Sequence, residues 1–253
     1  MNKLSVYTLG TYQFYDKEKL QKSEIQKIIF KSLDSGINCI DTADSYGDGK
    51  CEAIIGNILK DNNLSNVRIA TKIGQLSNFK ISQIQNNIDN SLRRLKKEYL
   101  DICYFHSGNN TDFFNDDYWN IMNKNLENGK IKKLGLSLKT AYLKKNNFEQ
   151  IKKAKKYNIS VINIMFNPII SNGDKIFSFS KKNNLDLISR SPFLGGDIFK
   201  EQYKKLVLKK LKKNNDKNYI KNILYWIKSY KTIKSIVFGV RSLEQLDSFL
   251  RNK

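Results

Sequence analysis

The chain has 253 residues, 40% of them hydrophobic, and carries 45 basic against 24 acidic side chains for a formal charge of +21. That length suits one α/β barrel domain over residues 1–253, and the apolar share is enough to bury a sizeable core. With no apolar run of about 18 residues, a membrane-spanning helix is excluded.

The charge is mostly lysine. Only six of the basic residues are arginine and 39 are lysine, scattered in pairs along helix faces. A nucleic-acid surface would concentrate arginine and aromatics on one element, so no nucleic-acid or membrane partner is expected. The densest basic stretch, KKLVLKKLKKNNDK (204–217), reads as a solvated helix face. The N-terminal MNKLSVYTLGTYQF lacks a long apolar stretch and a small-residue cleavage site, so no signal peptide and a cytoplasmic location are expected. Cys39, Cys51 and Cys103 are odd in number and far apart, which points to buried reduced thiols, with no disulfide and no metal site.

Strand-like and helix-like segments alternate from end to end. LSVYTLG (4–10) opens as a strand. A helix follows with the apolar stripe Ile25, Ile28, Ile29 and Leu33, Ser23 as its cap and Gly36 as its stop. Next come strands INCID (37–41), VRIATK (67–72) and LDICYFH (100–106), with a helical stripe Ile81, Ile84, Ile88, Leu92 and Leu95 before the last of them. IKKLGLS (131–137), a stripe of Ile151, Ala154 and Tyr157, SVINIMF (160–166) and LDLISR (185–190) continue the alternation. A stripe of Ile220, Ile223, Leu224 and Ile227 precedes SIVFG (235–239), and SLEQL opens the last helix as a capping box of Ser242 and Gln245. Repeated β–α units make a parallel sheet. Eight of them, with no GxGxxG turn after the first strand, predict a closed (β/α)8 TIM barrel and not a doubly wound sheet.

In a barrel all strand C-terminal ends meet at one mouth. Asp41, Lys72 and His106, the only histidine, end three consecutive strands, and Tyr46 lies on the loop leaving the first of them. Spacing alone therefore gathers an acid, a phenol, an amine and an imidazole. A free tyrosine, with a pKa of about 10, is a poor acid near neutrality. A neighbouring ammonium is expected to lower that value, Asp41 to hold Lys72 charged, and His106 to hydrogen-bond a substrate oxygen. The set predicts a general acid aimed at a developing alkoxide, as in reduction of a carbonyl.

INCIDTADSYGDGKCEAIIG, IATKIG, SLRRLKKEYLDICYFHSG, GKIKKLGLS, SPFLGG and IKSIVFGVRSLEQLDSFL resemble the successive signatures of the aldo-keto reductases, over about residues 5 to 251. The resemblance implies a (β/α)8 barrel, NAD(P)H extended across the mouth, and Asp41, Tyr46, Lys72 and His106 as the catalytic tetrad. It also implies cofactor positions. Ser137 matches a nicotinamide-amide position, while its usual Asn neighbour is Leu138 here. Asn163 stands where many members have Gln, and Arg190 stands where an aromatic often stacks on the nicotinamide. Ser191, Phe193, Leu194 and Gly195 resemble the loop covering the pyrophosphate. Gly239, Arg241, Ser242 and Gln245 surround a helix N-terminus suited to phosphate, and Arg241 inclines the reading to NADPH, with NADH left open. Aromatics of the loops 11–15 and 107–119, namely Tyr12, Phe14, Phe113, Phe114 and Trp119, are the expected substrate walls. The expected protein is a monomer acting on a small-molecule carbonyl. The alternative is a nucleotide-binding regulatory subunit of the same fold with little turnover.

Overall fold

The computed structural model describes residues 3–15, 20–74, 80–106, 111–138, 145–171 and 173–253. Its eight strands are β1 (Tyr7–Gly10), β2 (Cys39–Asp41), β3 (Arg68–Ile73), β4 (Ile102–His106), β5 (Leu134–Ser137), β6 (Ile159–Met165), β7 (Asp186–Arg190) and β8 (Ile233–Gly239). They close in chain order into a barrel, with β1 pairing in parallel to both β2 and β8. The helices among the described residues are α1 (Lys22–Asp34), α2 (Lys50–Asp61), α3 (Ile84–Leu95), α4 (Asp116–Glu127), α5 (Lys145–Lys152), α6 (Asp174–Lys182), α7 (Glu201–Leu211), α8 (Tyr219–Ser229) and α9 (Leu243–Asn252). This is the expected (β/α)8 barrel, with two helices between β7 and β8.

The two faces of each strand do different work. Outward side chains such as Ile40, Ile69, Phe105, Leu136, Ile162 and Phe238 join the large core under the helices. Inward ones, Cys39, Ala70, Ile102, Tyr104, Val161, Ile188 and Val237, fill the lumen. Gly135 makes room for one of them, since a Cβ there would lie 2.3 Å from the Tyr104 ring. Two residues beyond Cys39, Ala70, Tyr104, Gly135, Ile188 and Val237 stand Asp41, Lys72, His106, Ser137, Arg190 and Gly239. The period of two therefore aims these side chains inward at the mouth.

Two local expectations change. Ser23 lies inside α1, whose first turn is capped by the backbone of Gln21, which accepts from the N–H groups of Glu24 and Ile25. The stripe Ile151, Ala154 and Tyr157 is buried, but α5 ends at Lys152 and the last two sit in the turns that follow. The three cysteines are buried free thiols. No helix among the described residues is long and apolar enough to cross a membrane. Exposed pairs such as Lys130–Asp89 at 2.7 Å and Lys133–Asp186 at 2.8 Å add little, about 0–1 kcal/mol each.

α2 and α3 approach so closely that a Cβ on Gly56 would sit 2.1 Å from the backbone oxygen of Arg94. Alanine would gain about 1 kcal/mol of helix propensity there. Overlap with backbone, which cannot rotate away, should outweigh it, for a net loss of about 1–3 kcal/mol in Gly56→Ala. Urea unfolding measures this, and a raised midpoint would contradict the close approach.

Candidate active site

The mouth holds a cleft of about 840 Å³, lined by Asp41, Tyr46, Lys72 and His106 at one end and by Arg241, Gln245 and Phe249 at the other. At the first end Lys72, 2% exposed, donates from Nζ to Asp41 Oδ1 at 2.5 Å and to the Thr42 carbonyl at 2.6 Å. The same Nζ lies 3.4 Å from the Tyr46 hydroxyl. The rings of Tyr46 and His106 stand edge to face at 6.3 Å, and Ser45 Oγ is 3.5 Å from His106 Nδ1.

The chain must turn sharply after Tyr46 to place its hydroxyl there. Gly47 takes φ +60°, and a Cβ on it would fall within the Tyr15 ring, 2.0 Å from the nearest carbon. Gly47 therefore answers both a left-handed backbone and a packed aromatic.

Burial dominates the electrostatics. It raises the Asp41 pKa, partly offset by Lys72 and Arg190, and the second carboxylate oxygen has no hydrogen-bond partner among the described residues. Burial works to discharge Lys72, but Asp41 and Tyr46 outweigh it and its pKa stands above the ordinary value. Tyr46 is the correction. Burial raises its pKa and Lys72 and Arg190 only partly oppose this, so the phenol is held protonated where a net lowering was expected.

Of the residues anticipated for a cofactor, Ser137, Arg190, Ser191, Phe193, Leu194, Gly195, Gly239, Arg241 and Gln245 line the cleft. Asn163 does not; it is fully buried one layer deeper. Arg190 Nη2 donates to the Leu138 carbonyl at 2.6 Å, so its side chain reaches from β7 to the residue that follows β5. The Asn163 amide makes no hydrogen bond of normal geometry among the described residues, although the Tyr104 hydroxyl lies near enough for a weak one that opposes the burial-driven rise of the Tyr104 pKa. Ser242 faces the helix, accepting from the Gln245 N–H at 3.2 Å as the N-cap of α9. Gln245 Oε1 accepts from the Arg241 N–H at 2.8 Å, one residue earlier than a capping box requires.

The anticipated substrate walls are mostly elsewhere. Tyr12 lines the cleft, 68% exposed, its ring edge to face with that of Tyr46 and the ring centres 5.2 Å apart. Phe14 and Phe113 are buried in the outer core. Trp119 is stacked on Tyr157 at 4.9 Å and donates from Nε1 to the Phe113 carbonyl at 2.7 Å. Phe114 is partly exposed but does not line the cleft. Residues 107–110 of that loop lie outside the described residues.

Sequence reasoning missed several contributors. Gln13, Met165, Val237, Ser248 and Phe249 also line the cleft. The spacing Gln245, Ser248 and Phe249 on one face of α9 was a signal that could have found two of them. Asn167, buried, donates from Nδ2 to the Ser191 carbonyl at 2.9 Å and accepts at Oδ1 from the N–H groups of Ile169 and Ile170. It anchors a loop in which Ser191 and Leu194 hold left-handed φ values of 55° and 50°, a strain common at functional sites.

Beneath the Tyr46 loop lies a second buried ionic group. Glu52 accepts from Thr71 Oγ1 at 2.6 Å, Ser91 Oγ at 3.2 Å and Arg94 at 2.6 Å. Asp44 sits nearby with both carboxylate oxygens buried and without a hydrogen-bond partner among the described residues. Burial first, then the Glu52 charge, pushes its pKa up to about 7 against the pull of Arg94 and Lys72. Cys103 and Tyr118 are the other titratable neighbours.

The sequence profile of the aldo/keto reductase family matches residues 7–251. The probable aldo-keto reductase 1 of Glycine max is 30% identical over 145 residues, which is 54% of this chain and 41% of that protein. Across it and two further curated relatives the chain spans between 41% and 58% of their lengths. The aldo-keto reductase AKR11C1 from Bacillus halodurans, in its holo form, superposes with a TM-score of 0.81 at 20% identity, covering 98% of this chain and 86% of that one. An aldo/keto reductase from Klebsiella pneumoniae, solved in complex with NADP and acetate, gives 0.77 at 17% identity, covering 98% and 86%. At these identities the structural likeness is one of fold.

Asp44 generates a pH prediction. The folded chain keeps its proton to about pH 7 against an ordinary 3.8. Its contribution to stability is therefore full below about pH 4, falls as pH rises, and is flat above about 7. Asp44→Asn should remove that fall, gaining on the parent with rising pH by up to about 4 kcal/mol across the window. Urea unfolding between pH 4 and 8 tests this, and parallel curves for parent and variant would refute it.

Proposed function

This chain belongs to the aldo/keto reductase family, and we propose that it reduces an aldehyde or ketone to an alcohol with a nicotinamide dinucleotide as hydride donor. The observation that carries the reading is the convergence of Tyr46, Lys72, Asp41 and His106 on a cleft of about 840 Å³ that is also lined by Arg241 and Gln245.

The cleft suits that cofactor. A Cβ on Gly195 or Gly196 would meet no protein atom within 4 Å, so that wall lets a ligand approach the backbone closely. The lining is basic, with Lys72, Arg190 and Arg241 against Asp41 and Asp197, as a pyrophosphate requires. Ser137 and Arg190 would hold the nicotinamide end, Ser191 to Gly195 the pyrophosphate, and Gly239, Arg241 and Gln245 the adenosine end at the N-terminus of α9. The bound cofactor supplies the hydride.

The protein supplies the proton and the field. Tyr46, held protonated by burial, donates from its hydroxyl to the carbonyl oxygen as charge builds there. A ring N–H of His106 hydrogen-bonds the same oxygen. The phenolate left on Tyr46 is stabilised by Lys72 Nζ, whose charge Asp41 maintains. Tyr12 overhangs the proton donor and is the substrate-facing aromatic.

Tyr46→Phe removes this acid, and its turnover should fall by about 10²–10⁴-fold with cofactor affinity unchanged. Retained turnover in an aldehyde screen would refute the assignment. If Arg241 pairs with a 2′-phosphate, Arg241→Ala should weaken NADPH by about 10- to 150-fold and leave NADH alone, since a hydrogen bond to a charged group is worth about 1.5–3 kcal/mol. Calorimetric titration of both cofactors decides it, and equal losses would place Arg241 at the pyrophosphate.

A further inference from the structure

Arg190 lines the same cleft as Tyr46 and Lys72 at one end and Arg241 at the other. It leaves β7 inward, in register with Met165 on β6 and Val237 on β8, and reaches the Leu138 carbonyl at 2.6 Å. Its flanks are thus apolar, and its charge interacts with Tyr46 and Asp41 across the cleft. Any ligand with phosphates at α9 and its reacting ring beside Tyr46 must bring that ring near this side chain. A guanidinium carries its charge on a plane, with little hydration to shield it, and the flanking apolar surface lowers the local dielectric.

The two redox forms of a nicotinamide ring differ by one positive charge. The oxidised ring is a cation and the reduced ring is neutral and electron-rich. A fixed guanidinium repels the first and attracts the second by a cation–π contact. We propose that Arg190 makes the cleft discriminate between oxidation states of the nicotinamide, binding the reduced dinucleotide tightly and the oxidised one weakly. This rests on the reading that the cleft takes a nicotinamide dinucleotide. It gives the site a direction: the reduced form is captured and the spent form is released by the same side chain. An aromatic at this position would supply stacking without that asymmetry.

The test is calorimetric titration of the substrate-free protein with NADPH, NADP⁺ and 2′-phospho-ADP-ribose, which is the same molecule without nicotinamide. The variants are Arg190→Gln, Arg190→Met and Arg190→Lys. In the parent the Kd for NADP⁺ should exceed that for NADPH by at least tenfold. In the Gln and Met variants the ratio should fall toward one, chiefly by tighter NADP⁺ binding. The Lys variant should keep the ratio, and the fragment should bind all four proteins alike. A ratio near one in the parent, which needs no variant to fold, overturns the proposal. So does an unchanged ratio in either neutral variant, or a loss of fragment binding equal to the loss of whole cofactor, which would make Arg190 a packing residue only. If the parent binds neither dinucleotide nor fragment, the nucleotide reading itself fails and the proposal falls with it; binding of the dinucleotides with no redox preference sinks the proposal alone.

Discussion

Asp41 and Lys72 meet at 2.5 Å at the base of the cleft, both almost wholly buried. Burying two charges is favourable only with close geometry and further hydrogen bonds, and the Thr42 carbonyl supplies one at 2.6 Å. Loss of either partner would leave an uncompensated charge in the lumen, at a cost of about 3–5 kcal/mol. The pair also fixes the path of the loop that follows β2. The Thr42 N–H donates to the Ala70 carbonyl at 2.8 Å and the Asp44 N–H to the Lys72 carbonyl at 3.1 Å, so the loop bearing Tyr46 is laced to β3 before it turns at Gly47.

The same arrangement recurs on the other face of β3. Lys72 points inward to Asp41; its neighbour Thr71 points outward to Glu52, which Arg94 neutralises. The Tyr46 loop runs between a cation–anion pair in the lumen and a second one under the helices. Asp44 lies between the two and belongs to neither. Its carboxyl oxygens make no hydrogen bond of normal geometry among the described residues, and burial with the Glu52 charge raises its pKa.

The strands, the closed barrel and the gathering of Asp41, Tyr46, Lys72 and His106 were legible in the sequence because they follow from periodicity and register, which are local. What was illegible depends on distance in space. Phe113 and Trp119 read as pocket walls because an apolar loop residue looks alike whether it faces a ligand or a helix; only the stack on Tyr157, 38 residues on from Trp119, shows which. Asn163 read as a cofactor contact, yet it is fully buried and does not line the cleft, and sequence position does not measure that depth. The direction of the Tyr46 shift turned on depth of burial against nearness of charge, and no sequence spacing measures depth. Asn167 left no trace because its task is to hold one loop's backbone through another.

The division of charge between interior and surface carries over to ionic strength. The pairs that hold the mouth, Asp41–Lys72 and Glu52–Arg94, are shielded by protein and are nearly indifferent to salt. The exposed lysines that make up most of the +21 repel one another through solvent and are not. Added electrolyte therefore relaxes the outer shell of mutual repulsion while leaving the barrel's own electrostatics intact. Polyanions in solution would act in the same direction. The surface can accumulate lysine because the interior fixes its charges by contact and not by composition.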